Sequence, residues 1–206
     1  MVAIVDYGVG NLFSLRCSFE YIGQQCVITS NPTEMSRAER IVLPGVGAFG
    51  DAAQKLRSKG LDQILVRLAD SGKPLLGICL GMQLLFERSL EYGAHRGLGL
   101  LEGEILPLAS DVGHASCRVP QIGWNTLSFE NPDDCPLLEG TLPGSAVYYV
   151  HSYYLPKGSL TRAWSDYGRA KVSGIVQKRN VMGTQFHPEK SGAAGLEILR
   201  AFCQID

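Results

Sequence analysis

The chain has 206 residues, 45% of them hydrophobic and 19% charged, with a net charge of -1. This suits one domain, residues 1–206, with a substantial core, and the near-neutral charge without a lysine or arginine block excludes long-range attraction to nucleic acid or anionic lipid. No segment has the length of a bilayer span and Met1 to Val5 lack a basic lead, so a soluble cytoplasmic protein is expected, with small molecules or another protein as partners.

In chain order, Val2 to Asp6 reads as a strand. Asn11 follows as a helix cap for the face Leu12, Leu15, Phe19 and Ile22. Strands are predicted at Cys26 to Thr29, Arg40 to Leu43 and Pro74 to Ile78. Between the last two, Asp51 to Ala69 has helical periodicity through Leu56, Leu61, Ile64, Leu65 and Leu68. This alternation predicts an α/β fold, a mostly parallel central sheet flanked by helices. Beyond Gly99, strand-like runs follow one another at Leu100 to Leu108, Gln121 to Phe129, Ala146 to Leu155 and Lys171 to Gln177, which predicts an antiparallel extension in the second half. A last strand, Val181 to Phe186, leads to His187-Pro188-Glu189, and Ser191 caps a terminal helix through Leu196, Ile198, Leu199 and Phe202.

The six cysteines, at 17, 26, 79, 117, 135 and 203, show no two-residue pair spacing, so neither a zinc site nor a redox dithiol is supported. For each the ordinary expectation is a small buried hydrophobe. Cys79 differs in its neighbours. Gly77-Ile78-Cys79-Leu80-Gly81 lies between an apolar strand and a helical stretch, Met82 to Glu87, and matches a nucleophile elbow with cysteine at its apex. Such a turn strains the central residue and needs small neighbours, while helix amides beside the sulfur favour thiolate. The alternative is a buried cysteine between two packing glycines.

Gln185-Phe186-His187-Pro188-Glu189 supplies a base and an acid two residues apart, on one side of an extended chain. Glu189 is thereby placed to orient the imidazole of His187, as in a Cys/His/Glu triad. Without a nucleophile elsewhere, the same residues would read as a strand-end histidine and a solvated glutamate. Leu43-Pro44-Gly45-Val46-Gly47 follows a strand and can turn N–H groups outward, a candidate oxyanion donor together with the amide of Leu80.

Pro44-Gly45-Val46-Gly47, Gly77 to Gln83 and Phe186 to Ser191 resemble, in order, the three blocks of the class I glutamine amidotransferases, a family with a flavodoxin-like α/β fold. Tyr7 to Asn11, Pro120 to Asn125 and Tyr148 to Tyr153 narrow the resemblance to the histidine-biosynthesis branch of that family. It implies that Cys79 attacks the side-chain amide of glutamine and that His187 protonates the leaving ammonia and then activates water. Glu189 would orient His187. Gln83, Glu91, His151 and Ser152 would hold the substrate; Val46 and Leu80 would supply oxyanion amides, with Gly45 and Gly47 letting the strand turn. No cofactor or metal is implied.

The implied partner is a (β/α)8-barrel cyclase, in a heterodimer that shelters ammonia from protonation, with Asn11, Trp124, Tyr148 and Lys190 facing it. Turnover is expected to depend on the loaded partner, through an oxyanion strand whose amides point the wrong way at rest. One departure stands out: Gln121 occupies a position where the family commonly has histidine, which puts a contact near the interface in doubt. His95 and His114 receive no function. Three other readings stay open: another class I amidotransferase, a γ-glutamyl cysteine hydrolase of similar architecture, and a non-catalytic amidotransferase-like regulatory domain.

Overall fold

A computed structural model describes residues 1–113 and 117–205. Strand β1 (Val2–Val5) is buried along its whole length, and its side chains alternate between two apolar layers. Val2 and Ile4 join Leu15 and Phe19 of α1 (Leu12–Tyr21) on one side. Ala3 and Val5 pack on the other side, in the layer that also contains Met35, Leu56 and Leu65. After β2 (Cys26–Thr29), helix α2 (Pro32–Arg37) starts on Asn31, whose side chain accepts from the Thr33 amide, with Pro32 in the first turn.

The predicted helix from Asp51 to Ala69 is two helices in the structure. Between β3 (Arg40–Leu43) and β4 (Leu75–Ile78) run α3 (Phe49–Ser58) and α4 (Leu61–Asp70), separated by Gly60 at φ +66°. The elbow helix is also shorter than expected. Helix α5 (Leu80–Leu84) gives way to β5 (Phe86–Ser89), because Phe86 pairs with Leu101 across the sheet. There follow β6 (His95–Arg96), β7 (Leu101–Pro107), β8 (Gln121–Thr126), β9 (Ala146–His151) and β10 (Tyr153–Tyr154), the last two divided at Ser152. Strands β11 (Thr161–Tyr167), β12 (Ala170–Lys178) and β13 (Val181–Thr184) precede α6 (Gly192–Gln204), whose Ile198, Leu199 and Phe202 are buried.

The main sheet is seven-stranded, in the order β11-β12-β13-β4-β3-β1-β2. From β13 to β2 all neighbours are parallel, and β11 and β12 add antiparallel strands at one edge. A four-stranded sheet, β10-β7-β5-β6, and the antiparallel pair β8-β9 make up the rest of the second half. This is the α/β architecture with an antiparallel portion that the sequence predicts; the strands beyond the parallel core are divided among three sheets, and the four-stranded one is mixed, with β5 and β7 parallel. Because the central strands are parallel, their C-terminal ends open at one edge, where ligands of such sheets are held.

Candidate active site

Cys79 leaves the C-terminal end of β4 with φ +54° and ψ -112°, a conformation that L side chains rarely adopt. The turn is crowded. A Cβ at Gly77 would come within 2.6 Å of the Gly81 carbonyl oxygen, and one at Gly81 within 1.9 Å of the Leu43 oxygen, so neither position admits a side chain. With α5 only five residues long, the sulfur's partners come from elsewhere. Sγ lies 3.8 Å from the Val150 carbonyl oxygen and 3.7 Å from Nε2 of Gln185.

His187 is fixed by its backbone amide, which donates to the Tyr148 carbonyl at 2.9 Å. Nδ1 of its ring is 2.9 Å from Oε1 of Glu189, and both side chains are almost wholly buried. The expected extended path between them is replaced by a 3-10 turn over Pro188–Lys190, which folds Glu189 back beneath the ring. Proline fixes the φ of this turn. Nε2 of His187 and Oε2 of Glu189 are buried without a hydrogen-bond partner among the described residues. Burial alone would lower the pKa of His187, but Cys79 and Glu189 outweigh it and push the imidazole up to about 10.

Val46, Gly47, Leu80, Gln83, Glu91 and His151, with Cys79 and His187 themselves, line a cavity of about 400 Å³ that Ser152 also borders. Gly45 packs against the elbow, since a Cβ there would meet the Gly81 nitrogen at 2.6 Å. Pro44 is tied down by the hydroxyl of Tyr7, which donates to its carbonyl at 2.7 Å; burial and the adjacent Cys79 raise the pKa of this phenol, so it stays protonated as a donor. Gln83 Nε2 donates to the Tyr153 carbonyl and to Oε1 of Gln185. Glu91 borders the cavity with one oxygen engaged by the Phe49 amide, at the start of α3.

His151 bonds Tyr153 O through Nδ1 and Gln121 through Nε2. Gln121 is therefore a buried neighbour of His151, which lines the cavity. Trp124 pairs with Tyr148 across β8-β9 with ring centroids 5.8 Å apart, and Lys190 Nζ lies 5.9 Å from the Tyr148 ring. Asn11 holds the N-cap position of α1 without capping it; its amide reaches Glu189 Oε1 at 3.5 Å. Ser191 likewise heads α6 without a side-chain cap, and its hydroxyl bridges His187 O and the Tyr148 amide.

The sequence by itself gives Gln185 no role, although its position two residues before His187 on a strand approach signals the same side of the chain. His95 packs against Gly50 in a short strand, and His114 lies outside the described residues. Among the described residues no group of three His, Cys, Asp or Glu side chains could hold a metal ion, and no helix is long and apolar enough to cross a membrane.

The family model for glutamine amidotransferase class-I matches residues 3–205. The chain is 49% identical to the imidazole glycerol phosphate synthase subunit HisH of Bacillus cereus (strain B4264), covering 98% of this chain and 93% of that one. It is 46% identical to the subunit of the same name from Bacillus subtilis (strain 168), covering 100% and 96%. In fold it is similar to the structure of PurLQS from Thermotoga maritima, with a TM-score of 0.75 at 22% identity over 98% of this chain and 96% of that chain. The chain belongs to the class I glutamine amidotransferases.

Proposed function

We propose that this chain, as one domain, is the glutaminase subunit of an imidazole glycerol phosphate synthase. It hydrolyses glutamine to glutamate and ammonia and passes the ammonia to a (β/α)8-barrel cyclase subunit, in a cytoplasmic heterodimer serving histidine biosynthesis. The observation that carries the chemistry is the strained Cys79 at the cavity wall with His187 and Glu189 beside it, the Nδ1 side of the ring held at 2.9 Å and Nε2 left without a partner. The similarity to subunits named HisH supports the choice of partner.

In this reading the Cys79 thiolate adds to the amide carbon of glutamine, and the oxyanion meets amides of Val46 and Leu80. As the C–N bond breaks, His187 gives its proton to the nitrogen, leaving a thioester and ammonia. Water then attacks the thioester, losing its proton to His187, and glutamate leaves as the C–S bond breaks. Glu189 holds the ring in the required tautomer throughout. Gln83, Glu91, His151 and Ser152 bind the substrate, Glu91 exchanging its hold on Phe49 for the amino group.

Cys79→Ala is expected to abolish glutamine-dependent synthesis by the complex while ammonia-dependent synthesis continues, because only the ammonia source is removed. Measuring both activities on the same preparation tests this. Retention of the glutamine-dependent reaction, or loss of both, sinks the proposal.

A further inference from the structure

We infer that Gln185 serves the reaction as a hydrogen-bond donor to the Cys79 sulfur, held in its donating orientation by Gln83. This rests on the reading of Cys79 as the nucleophile and assigns it a support outside the Cys/His/Glu set. Gln185 is fully buried, and among the described residues its side chain makes two hydrogen bonds: Gln83 Nε2 lies 3.0 Å from its oxygen, and Cys79 Sγ 3.7 Å from its nitrogen.

The direction of this chain of bonds follows from its far end. The Tyr153 carbonyl can only accept, so the atom of Gln83 at 2.8 Å from it must be the amide nitrogen. The second N–H of that nitrogen faces Gln185, which must answer with its oxygen. The Gln185 nitrogen is left facing the sulfur. No free choice of amide orientation remains, although the ends of an amide are assigned by their partners.

The consequence for Cys79 is specific to its charged form. A thiol can donate to the Val150 carbonyl at 3.8 Å, but a thiolate gains nothing from that oxygen. For the anion, the Gln185 N–H is a neutral, non-titrating donor that adds to the attraction of His187. Hydrogen bonds to charged groups are worth more than neutral ones, so losing this donor disfavours thiolate more than thiol. Gln185 does not line the cavity, so it does not itself touch the substrate space.

Two variants separate this role from simple filling of the core. Gln185→Glu keeps an oxygen for Gln83 and removes the N–H; Gln185→Met keeps the approximate volume and removes both. The readout is the rate of Cys79 alkylation by iodoacetamide in the full chain, resolved at that residue by mass spectrometry, from pH 6 to 9. We expect about tenfold slower alkylation at pH 7 in both variants, with the deficit shrinking as pH rises. Equal rates to wild type across the range, or a deficit that is the same at every pH, overturns the inference. Unfolding midpoints establish that each variant is folded; should the glutamate variant not fold, the methionine variant decides alone. Failure of the underlying reading is visible separately, as glutamine hydrolysis persisting in Cys79→Ala.

Discussion

His151 lies between the Tyr153 carbonyl, 3.0 Å from Nδ1, and the Gln121 side chain, 2.9 Å from Nε2. The carbonyl can only accept, so Nδ1 carries the proton; Gln121 stands with Oε1 towards Nε2, and a neutral ring requires that amide turned end for end so that its N–H faces Nε2. Burial keeps the ring neutral. It outweighs the Tyr153 hydrogen bond, and nearby His187 acts in the same direction as burial, so the pKa falls to about 4. Between that value and the ordinary 6.5, the unfolded chain takes up a proton that the folded chain refuses. Stability should therefore fall as pH drops through this window, by up to about 3 kcal/mol. His187 works at the other end: its raised pKa adds stability that is full below 6.5 and is lost as pH climbs through about 10. Urea unfolding at pH 7.5, 6 and 4.5 should show an acid decline in wild type that is shallower in His151→Gln. Identical declines in the two proteins would remove His151 as its source.

At the level of elements, Gly60 decides that the apolar pattern from Asp51 to Ala69 becomes two helices. Its φ of +66° ends α3, its amide donates to Arg57 O, and the next residue opens α4. A Cβ there would meet nothing within 4 Å, so Gly60→Ala isolates backbone strain from packing. The expected loss is about 1 kcal/mol, seen as a lower unfolding midpoint; an unchanged or higher midpoint counts against the strain. The break is marked in the sequence by the five-residue step from Leu56 to Leu61, which the leucine-rich stretch that follows obscures. Strands β1 to β4 were legible because their residues are apolar on both faces. Strand β11 was not, since its buried positions are the small residues Ala163 and Ser165, which leave no apolar alternation. Leu84-Leu85-Phe86 suits helix or strand equally, and pairing with β7 settles it. The positions of Cys79, His187 and Glu189 could be read from local motifs, whereas Gln185 meets Gln83 across 102 residues of chain, which no local pattern encodes.

For the whole molecule, the parallel sheet gathers the elbow, the Pro44 to Gly47 turn and the approach to His187 at one edge, and the β8-β9 pair extends from that site to an exposed surface. Tyr148 joins the two. Its carbonyl accepts from the His187 amide and its own amide donates to Ser191, while its ring packs edge-on against Trp124. Tyr148 thus links the exposed face to the backbone that holds the imidazole. Trp124 is 58% exposed and its neighbour Ile122 62%, an aromatic and an aliphatic anchor on the side proposed to face the cyclase. Trp124→Ala should weaken association with the cyclase subunit by about 2 kcal/mol, roughly thirtyfold, the size typical of a buried aromatic anchor. Because Trp124 does not line the cavity, alkylation of Cys79 in the free chain should stay at the wild-type rate. Titration calorimetry of the two subunits measures the first quantity and mass spectrometry the second. Wild-type affinity in the variant would move the interface away from β8, and slowed alkylation in the free chain would mean that Trp124 supports the site itself.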